Sequence, residues 1–366
     1  MAIQMHDIIQ AMEALAPSRL AESWDNPGLA CGRPGQAVTA VFLALTPTMD
    51  VLQRAKEAGC EAVITHHPLI FKPVKSLAET ASPARELAFL VRHDMALFSA
   101  HTNLDICEGG VNDVLADLFN LEDREPLSVT ERQAYYKLRV FVPESHLDSL
   151  KEALLAAGAG NQGDYDQCAW QVTGQGQFRP KERANPYLGE AGQVETVPEV
   201  VLELLLSSPA LPAVLAAMHQ AHPYEEVAYD LFRQEGRSEA RGLGRIGRLP
   251  EPLALKDFKA IVSDRLKTPI QSSTDDDRLI TTLALCGGSA SGYIAEAKSK
   301  GADCYITGDL GYHDFQQARE ADIALIDATH FASERPVLGA VKDHLDHIFA
   351  HRLNVVIDAG EKNMFM

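Results

Sequence analysis

The chain has 366 residues, 46% of them apolar, and 33 basic against 51 acidic side chains give a formal net charge of −18. That length exceeds what one hydrophobic core usually covers, so two domains, or one domain with a large insert, are expected. The negative field disfavours DNA, RNA and anionic lipid, no apolar run reaches the ~18 residues of a membrane span, and the first residues carry neither a basic region nor a cleavage site; a cytoplasmic protein without nucleic-acid or membrane partners is expected.

In chain order, Ser-Trp-Asp-Asn-Pro-Gly-Leu at 23–29 reads as an Asx/Pro turn over a buried Trp24, with Asp25 and Asn26 as alternative pocket residues. An apolar strand at 38–45 leads to a helix with Thr46 as N-cap, Pro47 in its first turn and Gly59 as its stop. A strand ending in Thr65-His66-His67-Pro68, a helix at about 83–92 and a strand at 95–101 complete a βαβαβ order, which implies a parallel sheet with helices on its faces. The same grammar returns from about 278 to 330, and residues 55–67 align without gaps on 297–309. That reads as an internal duplication of a half-domain, at an offset far too long for a solenoid repeat. Between the halves, 131–235 follow a βαββαβ order, expected to fold as a ferredoxin-like insert with its own core. The glycine-rich stretch 237–252 reads as a linker, where Arg241, Arg245 and Arg248 either meet phosphates or are solvated. The predicted divisions are therefore 1–129, 130–246 and 247–366, an α/β core in two halves around an α+β insert. The six cysteines (Cys31, Cys60, Cys107, Cys168, Cys286 and Cys304) form no C-x-x-C pair and read as reduced thiols, mostly buried.

Chemistry concentrates at the ends of the predicted strands, where open α/β sheets place ligands. His66 and His67 follow one strand; His101 and Asp105 lie four apart after the next, and His330 and Glu334 repeat that spacing in the second half. A spacing of four on a helix puts imidazole and carboxylate on one face, and four histidines with two carboxylates suit zinc, iron, manganese or nickel. Each histidine alone would more often be an ordinary polar residue; their shared placement in a duplicated fold is the signal. Asp309 reads as a helix N-cap, with a role beside the site as the alternative. The Cys-Gly-Gly-Ser-Ala-Ser-Gly stretch at 286–292 fits either a phosphate-cradling turn or a tight strand–helix connection.

Taken together, Trp-Asp-Asn-Pro-Gly-Leu, Thr-His-His-Pro-Leu-Ile-Phe, Ala-His-Thr-Asn-Leu-Asp, Thr-Gly-Asp-Leu-Gly-Tyr-His-Asp and Asp-Ala-Thr-His-Phe-Ala-Ser-Glu resemble the motifs of the NIF-three-like family, the type 2 GTP cyclohydrolase I homologues, in the same order. The resemblance implies a dinuclear site with two divalent ions per chain on His66, His67, Asp105, His330 and Glu334, with His101 as a supporting ligand or general acid/base. It implies the family's long form, whose insert is similar to PII and CutA modules and carries a His-Pro-Tyr-Glu signature at 222–225. It also implies a homohexamer, a trimer of dimers, and hydrolysis of GTP to dihydroneopterin triphosphate and formate. Arg335 and the arginines at 241–248 are candidate phosphate contacts. The alternative is a metal-handling or regulatory scaffold without turnover.

Overall fold

A computed structural model describes residues 2–364. The chain has a mixed α/β fold with two sheets and forms two compact units: one comprises the chain up to Thr130 and from Arg241 onward, the other Glu131–Ala240. The strands Glu122–Pro143 and Tyr229–Ala254 carry the chain out of the first unit and back.

In the first unit one sheet has the order Gly28–Cys31, Ala96–Ser99, Ala62–Thr65, Ala40–Ala44, Asn354–Ile357. Its three central strands are parallel, and Gly28–Cys31 runs antiparallel at one edge. The second sheet repeats the plan: Leu279–Ser289, Cys304–Gly308 and Ala324–Asp327 are parallel, and Gln271–Ser272 is the antiparallel edge. All five residues of Ala40–Ala44 and of Cys304–Gly308 are buried. Alternate residues feed opposite cores: Val41 and Leu43 pack with Ile64, Phe98 and Val341, whereas Phe42 and Ala44 pack with Val63, Leu97 and Leu52. Helices cover both faces, which is why these strands are continuous apolar runs rather than alternating ones.

Local chemistry departs from the expectations at two points. The helix after the first parallel strand is Met49–Glu57, capped by Thr48, whose Oγ1 accepts the Val51 amide proton. Thr46 does not cap it, because its hydroxyl is hydrogen-bonded to the His67 ring and its amide to Glu361. Nor is 237–252 a linker: it lies within the strand Tyr229–Ala254. Gly242 serves close approach there, since a Cβ on it would overlap the Ser128 carbonyl. Of the three arginines, Arg245 is buried and bidentate to Asp113 at 2.5 and 2.9 Å, whereas Arg248 is exposed and pairs with Asp123 at the surface. The Thr130 hydroxyl donates to the Arg241 carbonyl at 3.4 Å.

The second unit has the element order βαββαβ, with helices Leu147–Ala156 and Leu211–Ala221 and the strand sequence Ala169–Phe178, Glu195–Ser207, Glu122–Pro143, Tyr229–Ala254. Its core is separate, built on Leu138, Val140, Leu150, Leu154, Leu202 and Met218. Among the described residues no helix is long and apolar enough to cross a membrane.

Candidate metal centre

The C-terminal ends of the parallel strands in the first unit deliver the chemistry. Ala62–Thr65 ends at His66 and His67; Ala96–Ser99 leads through His101 into the helix Thr102–Ile106, which carries Asp105. From the other sheet, Cys304–Gly308 ends at Asp309, and Ala324–Asp327 leads into His330–Glu334. Turn residues hold this last connection in place. Thr329 sits at φ +63°, a region costly for a β-branched side chain, and is fixed by Asp327 and Asn363.

Glu334 is the hub, almost fully buried. Its Oε1 lies 3.0 Å from His330 Nε2 and 3.5 Å from His66 Nε2, and its Oε2 lies 3.0 Å from His67 Nε2. Asp105 Oδ1 is 3.6 Å from His66 Nε2. Each imidazole is oriented through its other nitrogen. His66 Nδ1 donates to the Ala100 carbonyl at 2.9 Å, His67 Nδ1 bonds Thr46 Oγ1 at 2.8 Å, His101 Nδ1 donates to Asp25 at 2.9 Å and His330 Nδ1 to Asp309 at 2.7 Å. For His66, His101 and His330 the outer acceptor fixes the proton on Nδ1 and leaves Nε2 for the centre, the arrangement of a metal-binding histidine, while the Thr46 hydroxyl orients His67 as donor or acceptor. Two groups bring their ligand atoms within 4.8 Å of one another: His66, His67 and His101, and His67, His330 and Glu334.

Three buried atoms here lack a hydrogen-bond partner: His66 Nε2, Asp105 Oδ1 and Glu334 Oε2. Leaving such groups unpaired is costly, and His67 Nε2 also faces His330 Nε2 at 3.2 Å. Divalent cations would satisfy these lone pairs together, so the donor set fits the metal group it resembles. In the metal-free cluster, protons do part of that work. Burial opposes charge on His66, but Glu334 and Asp105 outweigh it and raise its pKa to about 9. His330 likewise rises to about 9 against burial, through Glu334 and Asp309. Burial pushes His67 down and lifts Asp105 to about 6. Glu334 stays ionised despite its burial because three imidazoles surround it.

Several side chains near the centre take other roles than the sequence suggested. Asp309 orients His330 instead of capping a helix; the next helix, Tyr312–Glu320, is capped at Gly311 with help from Asp314. The glycines at 286–292 do not cradle phosphate, because Gly287 and Gly288 donate their amides to Asn112 and Ser333. Gly288, at φ +70°, instead makes room for Glu334, whose Oε1 a Cβ would overlap. Trp24 is 61% exposed rather than buried, while Asp25 beside it is enclosed and held to about pKa 2 by His101 and Thr102 against the effect of burial. The Arg335 guanidinium donates to the Asp358 carbonyl. Asp25, Thr46 and the Ala100 carbonyl, as orienting groups for the imidazoles, had no signal in residue spacing. A cavity of 580 Å³ opens beside His67 and His330, with Arg54, Phe331, Glu361 and Lys362 in its wall.

Comparison with known proteins places this geometry in a family. The family model Duf34/NIF3 (NGG1p interacting factor 3) matches residues 3–363. A protein of Halalkalibacterium halodurans called GTP cyclohydrolase 1 type 2 homolog is 37% identical over 342 residues, 93% of this chain and 92% of its own length. One of the same name from Bacillus subtilis is 36% identical over 334 residues, 91% of this chain and 90% of its own. The crystal structure of a Bacillus cereus protein related to NIF3 superposes with a TM-score of 0.88 at 33% identity, covering 100% of this chain and 99% of that one. With a model matched over nearly its whole length and relatives this similar end to end, the chain belongs to the Duf34/NIF3 family.

Proposed function

We propose that the protein is a metal-dependent hydrolase of a nucleotide-like substrate, holding two divalent ions among His66, His67, Asp105, His330 and Glu334. GTP, opened at its guanine ring to give formate and dihydroneopterin triphosphate, is the substrate suggested by the name that its relatives carry. The observation that carries the reading is the convergence of the His66, His67 and His330 Nε2 atoms on the buried Glu334, with Asp105 beside His66 and His101 grouped with His66 and His67. When bound, divalent ions supply Lewis acidity and bring the ionisation of water into the range of roughly pH 7. Glu334, with its two oxygens turned to different histidines, is suited to bridge two ions. His101 has its Nδ1 proton committed to Asp25, which leaves Nε2 to take up or release a proton beside the cluster. Asp25 acts by holding that tautomer.

The finer architecture belongs to the same proposal. The second unit, with its strand sequence of the ferredoxin-like type and its His222-Pro223-Tyr224-Glu225 stretch, is read as a PII/CutA-like insert. The core is read as a duplicated half-domain, the assembly as a homohexamer built as a trimer of dimers, and its place as the cytoplasm.

The test is GTP turnover by protein reconstituted in turn with manganese, zinc, iron and nickel, with chromatographic detection of formate and dihydroneopterin triphosphate. The His101→Ala variant is expected to keep its metal and lose about 10²- to 10⁴-fold in rate. No product from fully metallated protein with any of the four ions would replace this reading with that of a metal-handling scaffold.

A further inference from the structure

Two large rings stand at the mouth of the cluster, on the side of His101. Trp24 and Phe71 are 61% and 51% exposed, and each packs edge-on against the His101 imidazole, with centroids 6.0 and 5.6 Å away and interplanar angles of 78° and 83°. Scattered exposed apolar residues are ordinary; two aromatic rings sharing one metal-site histidine as a neighbour are not scattered. Both rings are also presented by fixed backbone. The Asn26 side chain donates to the Ile70 carbonyl at 2.7 Å, which ties the segment of Trp24 to the residue before Phe71. Asp25 accepts from the Thr102 amide at 3.0 Å and from the His101 ring, which ties the same segment to the helix carrying Asp105. Phe71 is followed in the chain by the exposed Lys72 and Lys75, and among the described residues neither lysine is in an ion pair. In a chain of net charge −18 this is a local concentration of unpaired positive charge.

We propose that Trp24 and Phe71 form a stacking platform for the planar heteroaromatic ring of an anionic ligand, with Lys72 and Lys75 receiving its phosphates. A π face is what exposed, pinned rings recognise, and stacking on such rings is tolerant of ring identity. The ligand class is thus a nucleotide or a similarly phosphorylated heterocycle, with its ring set beside His101 Nε2. The inference rests on the metal-site reading above only for what the ring meets beyond His101.

Because the chain has two tryptophans, Trp170→Phe leaves Trp24 as the single indole reporter. In this metallated, full-length background GTP is expected to quench Trp24 emission, and inorganic tripolyphosphate, which has no ring, is not. By calorimetry, Trp24→Ala and Phe71→Ala should each weaken GTP about tenfold while leaving tripolyphosphate affinity and metal per chain unchanged. The Lys72→Ala, Lys75→Ala double variant should weaken both ligands. The platform is overturned if GTP leaves Trp24 emission unaltered, if the ring variants bind GTP as the parent does, or if they weaken both probes equally. It is overturned too if they change the oligomeric state without changing GTP affinity, since the rings are then a subunit contact. Failure of the metal reading shows separately, as no bound metal in the parent protein, and GTP titration of that protein still reads the ring contacts.

Discussion

In the proposed metal centre, the imidazoles and carboxylates of the cluster balance protons against metal. His66 and His330, both raised to about 9 beside Glu334, hold protons at pH 7 in the metal-free protein, whereas metal coordination needs their Nε2 lone pairs. Metal uptake at pH 7 should therefore release about two protons per chain. Apparent affinity should climb as pH rises towards about 9 and level off above it. Competition with a chelator across pH 6–10, with proton release followed in weakly buffered solution, checks both; an affinity independent of pH would show that these histidines are not ligands. At this scale the sequence was informative about which types of residue gather, because metal donors are few and their spacing of four is visible along the chain. It was blind to what orients them. Thr46 read as a cap, and Asp25 and Asp309 had places beside a pocket or site only as alternatives to turn and cap roles, because their partners, His67, His101 and His330, lie at least twenty residues away in sequence.

Elements were most legible where burial alone decides them. The parallel strands are unbroken apolar runs, and the helix Ala84–Arg92 falls where its pattern put it. Glycine was where the reading went astray, since the sequence does not say whether a glycine bends, frees or narrows the backbone. Gly242 narrows it, within a strand read as a linker; Gly288 does so beside Glu334, in a stretch that also fitted a phosphate loop. This gives a controlled comparison. Gly59 and Gly288 have φ of +72° and +70°, but a Cβ on Gly59 meets nothing within 4 Å. Gly59→Ala and Gly288→Ala should both lose about 1–2 kcal/mol of stability in urea unfolding of the metal-free protein, for the left-handed backbone alone. Gly288→Ala should lose more than that through the overlap with Glu334, and should also lose metal affinity by about tenfold or more, as displaced metal-site residues do. Equal metal affinity in the two variants would remove Glu334 from the site.

Across the whole molecule, the repeated order of strands could be anticipated from the gap-free alignment of 55–67 with 297–309, while the meeting of the two sheets' ends at one cluster depends on contacts that sequence order does not record. Every residue of the cluster belongs to the first unit. Thr130 and Arg241 already touch, so a short Gly-Ser bridge between them can replace Glu131–Ala240. The shortened protein is expected to stay folded by circular dichroism and to bind metal within about threefold of the parent, because the separate core of the second unit leaves with it. A soluble, folded product that binds no metal would make the insert part of the site. The division of donors between the two sheets also has a meaning in time. On the ribosome His66 and His67 emerge long before His330 and Glu334, with all of Glu131–Ala240 made in between. Until the second sheet is complete, the early histidines have no Glu334 to gather around. On the proposed metal reading, loading of the centre follows synthesis and reports on it: a chain truncated before residue 334 lacks the hub of the site, and metal content becomes a measure of how many molecules were finished.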